Sequence, residues 1–159
     1  MKIGVISDTH RNGADHTLER ISNTIFRDVE MVLHAGDLTS LAVLDAFGQR
    51  DVIAVSGNND PPEVRRRLPM QKIIRVNGFS IGLIHGWGWP WGLQKRVRPL
   101  FNEIDCLVYG HSHRALNQQK NGFLYFNPGA YSGGFFPLWR RSVGILTIDR
   151  SIRGEIIRI

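Results

Sequence analysis

An α/β fold of two packed, mixed β-sheets flanked by helices is predicted by three observations. Near-continuous runs rich in Ile and Val at residues 2–7, 31–34 and 52–56 read as strands buried on both faces. Patterns of helical period separate these runs, giving a β-α-β-α-β front half. The back half is mostly strands, at residues 72–76, 80–84, 106–109, 124–126, 143–149 and 152–158.

The elements follow in order. After the first strand, Leu18, Ile21 and Ile25 recur at helical spacing within residues 14–28. Leu41, Leu44 and Phe47 repeat the pattern, and Gly48 is a suitable stop. Asp60-Pro61-Pro62-Glu63 reads as a helix start, with Asp60 as N-cap, proline at the first position and a glutamate behind it. That gives Asp60 a structural role. A third helix is expected over residues 91–101, closed by Pro99. The last three strands alternate more clearly, which suits antiparallel pairing. In such a fold, ligands bind at the carboxyl ends of the strands.

The 159 residues are expected to form one domain, 1–159, large enough to bury a core. No apolar run approaches the ~20 residues of a membrane helix, so no membrane partner is expected. The opening residues, interrupted by Asp8, are too short for a signal peptide. Cys106 is the only cysteine, which excludes an internal disulfide; within its apolar run it reads as a small buried hydrophobe. A cytoplasmic protein is the expectation. The net charge of +6 favours anionic partners and permits nucleic acid without requiring it. Arg65-Arg66-Arg67 is read as a solvated helical face.

The chemistry lies in short clusters, each placed just after a predicted strand. They are Asp8-Thr9-His10, His34-Ala35-Gly36-Asp37, Gly57-Asn58-Asn59-Asp60, His85-Gly86 and Gly110-His111-Ser112-His113. Asp8 and His10, like His111 and His113, are two apart, so in extended chain they point the same way. One such pair is weak evidence. The joint pattern delivers oxygen and imidazole donors from several strand ends, the donor set that hard-to-borderline divalent metals require.

Asp-x-His, Gly-Asp, Gly-Asn-x-Asp, His-Gly and Gly-His-x-His, in this order, resemble the calcineurin-like metallophosphoesterases. The short spacings are most similar to their small single-domain bacterial and archaeal phosphodiesterases. Asn127-Pro128-Gly129 is a further, structural, match. The resemblance implies a four-layer α/β/β/α sandwich and a dinuclear metal centre. Asp8, His10 and His113 would hold the first ion, Asn58, His85 and His111 the second, and Asp37 would bridge both. A bridging carboxylate keeps two cations ~3.5–4 Å apart, where they can clamp one phosphoryl group and share a hydroxide. The implied function is hydrolysis of a small or nucleotide-like phosphodiester by in-line attack of that bridging hydroxide. Asp37, Asn58 and His85 are the catalytic candidates through the metals. Mn²⁺ is the first choice of ion, with Ni²⁺, Fe²⁺, Zn²⁺ and Mg²⁺ as alternatives. Gly36, Gly57, Gly86 and Gly110 adjoin these ligands, where backbone must turn or a phosphate must approach.

One departure bears on the chemistry. Phosphatase members carry a histidine after Gly-Asn as general acid, and many small phosphodiesterases resemble one another in carrying cysteine there. Here it is Asn59, which cannot deliver a proton at neutral pH, so activated aryl esters are expected to be favoured over alkyl esters. The acid and arginine pattern of protein phosphatases is also missing after Asp37. Candidate substrate contacts are Asn59, Trp87 and Arg140. Trp87-Gly88-Trp89-Pro90-Trp91-Gly92 reads as an aromatic lip, a homodimer interface or a loop folded on the core, and residues 133–141 share the ambiguity. His34 is expected to pack behind the ligands, and His16 to face solvent. Two other readings stay open: a scaffold of the retromer-subunit type, and a nuclease.

Overall fold

The computed structural model describes residues 1–133 and 140–159. Residues 134–139, which include the second aromatic segment up to Trp139, lie outside the described residues. Strand β1 (Lys2–Ile6) leads to helix α1 (His16–Asn23), β2 (Met31–His34), a 3₁₀ helix (Leu41–Phe47), β3 (Asp51–Ala54) and α2 (Pro62–Arg67). Then come β4 (Gln71–Val76), β5 (Phe79–Ile84), α3 (Leu93–Val97) running into a 3₁₀ turn (Arg98–Leu100), and β6 (Cys106–Tyr109). Strands β7 (Leu116–Lys120), β8 (Phe123–Asn127), β9 (Ser142–Ile148) and β10 (Ile152–Arg158) close the fold.

The strands form two mixed five-stranded sheets, ordered β10-β9-β1-β2-β3 and β4-β5-β6-β8-β7. In the first, β1 pairs parallel with β2, and β2 with β3; β9 runs antiparallel to both β1 and β10. In the second, β5, β6 and β8 are mutually parallel, while β4 and β7 are antiparallel edges. The alternation in residues 124–126 therefore did not signal a purely antiparallel strand: β8 pairs parallel with β6 on one side.

Side-chain alternation builds the layers. Ile3, Val5, Leu33 and Leu146 from one sheet meet Ile81, Leu83, Cys106, Val108 and Phe126 from the other, forming the central core. Ile6 and Val32 point outward, where α1 and the 3₁₀ helix cover them with Leu18, Ile21, Val43 and Phe47. Leu107 and Tyr109 point out of the second sheet onto Leu93, Val97 and Phe101 around α3. Strands covered on both faces explain the near-continuous apolar runs. Cys106 is buried in the central core, and burial pushes its thiol far up. Among the described residues no helix is long and apolar enough to cross a membrane.

Four local expectations need correction. The first helix is shorter than the periodic pattern, and residues 41–47 are 3₁₀ rather than α. The third helical region splits into α3 and the 3₁₀ turn that contains Pro99. Asp60 does not cap α2: its N-cap is Pro61, without a side-chain hydrogen bond. The buried Asp60 carboxylate instead accepts from the backbone N–H of Gly57, Asp37 and Thr39, at 2.7, 3.2 and 2.7 Å. It ties the loop after β3 to the loop after β2, which is the loop that carries Asp37.

Candidate metal centre

The carboxyl ends of β1, β2, β5 and β6 bring Asp8, Asp37, His85, His111 and His113 to one place, joined by His10. Ligand atoms of Asp8, His10 and His113 lie within 4.8 Å of one another, and so do those of Asp8, Asp37 and His85. His113 Nε2 is 3.0 Å from Asp8 Oδ1, His85 Nε2 is 3.2 Å from Asp37 Oδ2, and His10 Nε2 is 3.7 Å from the same Asp37 oxygen. His10, Asp37, His111 and His113 line a cavity of about 600 Å³ together with Asn59, Gly88, Pro90 and Ser132, while Asp8 and His85 are buried beside them.

The backbone here is not extended. Asp8, His10, Asp37, His111 and His113 all have φ between 45° and 61°, the left-handed region that non-glycine residues avoid. The shared direction of each pair comes from these tight turns, not from strand-like alternation. Each such residue costs about 1–3 kcal/mol, so the surrounding structure must over-determine it. Asp60 does this for Asp37. Asn127 does it for the His111 loop, its amide donating to Gly110 O at 2.8 Å and to Ser112 Oγ at 3.1 Å. Gly57 is required by space: a Cβ there would stand 2.1 Å from Asp37 Oδ1.

Three histidines are oriented by backbone carbonyls. A carbonyl can only accept, so His85 Nδ1–H donates to Ala35 O (2.7 Å), His111 Nε2–H to Gly88 O (2.6 Å) and His113 Nδ1–H to Gly133 O (3.0 Å). His85 and His113 thereby turn Nε2 toward Asp37 and Asp8, the arrangement that prepares an imidazole to bind a metal. His34, by contrast, is used at both nitrogens: Nδ1 accepts from Gly36 N–H, and Nε2 meets Thr9 Oγ1 at 3.2 Å. It packs behind the ligands, as expected, and His16 is exposed.

The electrostatics keep the buried carboxylates ionised and favour positive charge on the two histidines that face them. Burial pushes the Asp37 carboxyl upward, but hydrogen bonds from His85 and Asn59 and the charge of His85 outweigh it and hold it well below the usual range. Burial likewise raises Asp8, and His113, His85 and the Ser7 hydroxyl (2.6 Å) bring it net down. His85 is lowered by burial but raised by Asp37 and Asp8, ending at about 9. His113 is raised by Asp8 against its own burial. His34, where desolvation prevails, falls to about 3 and stays neutral. Even so, Asp8 Oδ1 and His85 Nε2 are buried with only ion-pair contacts of poor hydrogen-bond alignment, to His113 Nε2 (3.0 Å) and Asp37 Oδ2 (3.2 Å). Converging, poorly aligned polar atoms in a mixed carboxylate–imidazole set fit a divalent cation.

The structure separates the two asparagines. Asn59 donates its backbone N–H to Asp37 Oδ1 (2.8 Å) and its side-chain amide to Oδ2 (2.7 Å). Asn58, the amide singled out by motif, is exposed and lines a neighbouring cavity, with its carbonyl bound by the Arg65 guanidinium. Trp87 lines that second cavity too, while Gly88 and Pro90 border the first. Arg140 is exposed and is not among the residues lining the metal cavity. The Trp87–Trp91 loop is not folded on the core: its three indoles are 45–70% exposed. Sequence reasoning missed the clamp on this loop, Arg96, which donates to the carbonyls of Trp87 (2.9 Å), Trp89 and Trp91 (3.3 Å). A lone arginine in a helix carries no signal for such a role.

Residues 1–151 match the calcineurin-like phosphoesterase superfamily domain. The chain belongs to this superfamily. It is 36% identical over 162 residues to a probable metallophosphoesterase of Methanothermobacter thermautotrophicus, covering 99% of this chain and 92% of that one. Among solved structures it is similar to one described as a novel archaeal phosphodiesterase, at a TM-score of 0.75 and 27% identity, over 99% and 100% of the two chains. A single-mutant Vps29 from Entamoeba histolytica is alike at a TM-score of 0.73 and 27% identity, over 100% and 99%. The two-sheet architecture is thus the metallophosphoesterase fold, and the enzyme class is that of the phosphoesterase hydrolases.

Proposed function

We propose that this phosphoesterase is a dinuclear metal-dependent phosphodiesterase acting on small or nucleotide-like diesters, with Mn²⁺ as its first-choice ion. The observation that carries this reading is the convergence of buried Asp8 and His85 with Asp37, His10 and His113, the last three of which line an open cavity. Two divalent ions held there would polarise phosphoryl oxygens and lower the pKa of a bound water. Asp8, His10 and His113 would hold one ion, His85 and His111 the other, and Asp37 would serve both. The fourth donor of the second set is Asn58 by motif, whereas Asn59 is the amide beside Asp37.

The chain's own residues then divide the work. Backbone carbonyls fix the imidazole tautomers, so the ligand nitrogens are presented rather than recruited. Asn59 contributes donors to the cavity wall but no proton, which leaves the leaving group to water and favours aryl esters. The overall positive charge suits an anionic substrate in a cytoplasmic setting. The Vps29 likeness supports the scaffold alternative, but Asp8, His10, Asp37, His85 and His113 converge in two candidate ligand groups, which favours an enzyme. Basic residues at Arg65–Arg67 are compatible with a nuclease, which steeply salt-dependent binding of single strands would reveal.

The test is hydrolysis of bis-p-nitrophenyl phosphate and p-nitrophenyl phosphate by chelator-treated protein, restored separately with Mn²⁺, Ni²⁺, Zn²⁺ and Mg²⁺. Metal-restored cleavage with preference for the diester is the expected result. No turnover with any metal, with ions bound, would move the scaffold reading to the front.

A further inference from the structure

A second cavity, of about 890 Å³, lies against the first. The two are bordered by chain neighbours: Asn58 lines the second cavity and Asn59 the first, and Trp87 lines the second and Gly88 the first. Its lining is unusual for a solvent-facing surface, because Met70, Trp87 and Leu100 are 72%, 45% and 44% exposed. Exposed large apolar groups gathered around one concavity mark a binding surface rather than incidental exposure. The amides of Asn58 and Gln71 also line it, and neither makes a side-chain hydrogen bond among the described residues. The Arg65 guanidinium braces the Asn58 carbonyl and adds positive charge at the same wall.

A phosphodiester carries two organic groups on one phosphorus, and a monoester only one. If phosphorus sits over the metal centre, one of the two groups can leave through the first cavity while the other reaches past the Asn58–Asn59 and Trp87–Gly88 borders into the second. Apolar faces combined with amide edges match a planar heteroaromatic ring, which is apolar above and below and hydrogen-bonds around its perimeter. The volume lies within the range of small-molecule sites. We propose that the second cavity seats the non-reacting half of the substrate, a nucleoside-like ester group, with Trp87 as its stacking face and Met70 and Leu100 closing around it. This assignment rests on the phosphodiesterase reading above and sharpens it to a nucleoside-bearing diester. Stacking on one aromatic side chain contributes roughly 1–3 kcal/mol per base, a preference of about 5- to 150-fold.

Two substrates with one leaving group test this on the Mn²⁺-restored enzyme: thymidine 5′-(p-nitrophenyl phosphate) and methyl p-nitrophenyl phosphate. The nucleoside diester is expected to have the higher kcat/KM. The ratio of the two should fall toward one in Trp87→Ala and be largely regained in Trp87→Phe. A ratio near one in the wild type, or one unchanged in Trp87→Ala, would overturn the assignment while leaving the phosphodiesterase reading intact. Cleavage of neither substrate would count against that reading instead. A binding measurement then decides the cavity independently: thymidine alone, titrated into metal-free protein, should shift the Trp87 indole resonance saturably. Absence of that shift would overturn the assignment whatever the hydrolysis shows.

Discussion

His85 and Trp89 lie on the same stretch of chain after β5, yet His85 is 1% exposed and Trp89 is 70% exposed. The His85 ring is held at Nδ1 by Ala35 O and faces Asp37 and Asp8 with Nε2, so neither ring orientation nor tautomer is free. The Trp89 ring stacks on Trp91 with centroids 5.2 Å apart, and its backbone hangs from a single guanidinium, that of Arg96. Buried like charges and unsatisfied polar atoms are tolerated only in a fixed arrangement, because each misplacement costs kcal/mol rather than tenths. A stacking surface accepts many planar partners and needs no such precision. The rigid half of the site is therefore suited to chemistry, the adaptable half to recognition.

That contrast breaks most readily at Asp37. Asp37→Ala removes the carboxylate that faces His85, His10 and Asn59. It should lower kcat/KM on bis-p-nitrophenyl phosphate by roughly 10³-fold or more, about 4 kcal/mol in the barrier. Steady-state rates at saturating Mn²⁺ check this, and activity within tenfold of wild type would contradict the assignment.

A smaller effect is expected from pH. In the metal-free protein His85 is raised to about 9 from 6.5, so the stability it contributes is complete below pH 6.5 and is lost as pH rises to about 9. His34, lowered to about 3, acts oppositely: the unfolded chain takes up its proton first, so stability falls as pH drops from 6.5 toward 3. The melting temperature of metal-free protein should peak near pH 6.5. His85→Gln should flatten the alkaline decline, a difference of at most roughly 3 kcal/mol. Metal binding should tighten with rising pH over the same window, because the ion replaces the His85 proton. Thermal melts across pH, with and without Mn²⁺, measure both.

The smallest effect belongs to the exposed loop. Trp89→Ser should change stability by no more than about 0.5 kcal/mol and hydrolysis of bis-p-nitrophenyl phosphate by less than about twofold. A large loss in either would mean that this loop is part of the rigid half.

The sequence disclosed the rigid half far better than its geometry. Doubly covered strands leave apolar runs, and metal donors come in few residue types, so β1, β2, β3 and the Asp8, Asp37, His85 and His113 neighbourhoods were legible. Strand β7 was not: Leu116–Lys120 is a polar edge strand whose residues are mostly exposed, so no alternation marks it. The signal available was the Asn121-Gly122 turn, with φ of 50° and 81°, joining it to β8. The left-handed backbone at five ligand-bearing positions was also hidden, because none of those residues is glycine. Asp60 looked like a cap because prolines follow it; its carboxylate found three N–H groups brought near by tertiary structure. Which of two adjacent asparagines meets Asp37 depends on one loop's path, which spacing does not encode.

The most direct test is equilibrium dialysis of chelator-treated protein against Mn²⁺, with metal counted per chain. Two ions per chain in the wild type, falling to one or none in Asp37→Ala, is the predicted result. One ion or none in the wild type across millimolar Mn²⁺, or two retained in Asp37→Ala, would contradict a dinuclear centre organised around Asp37.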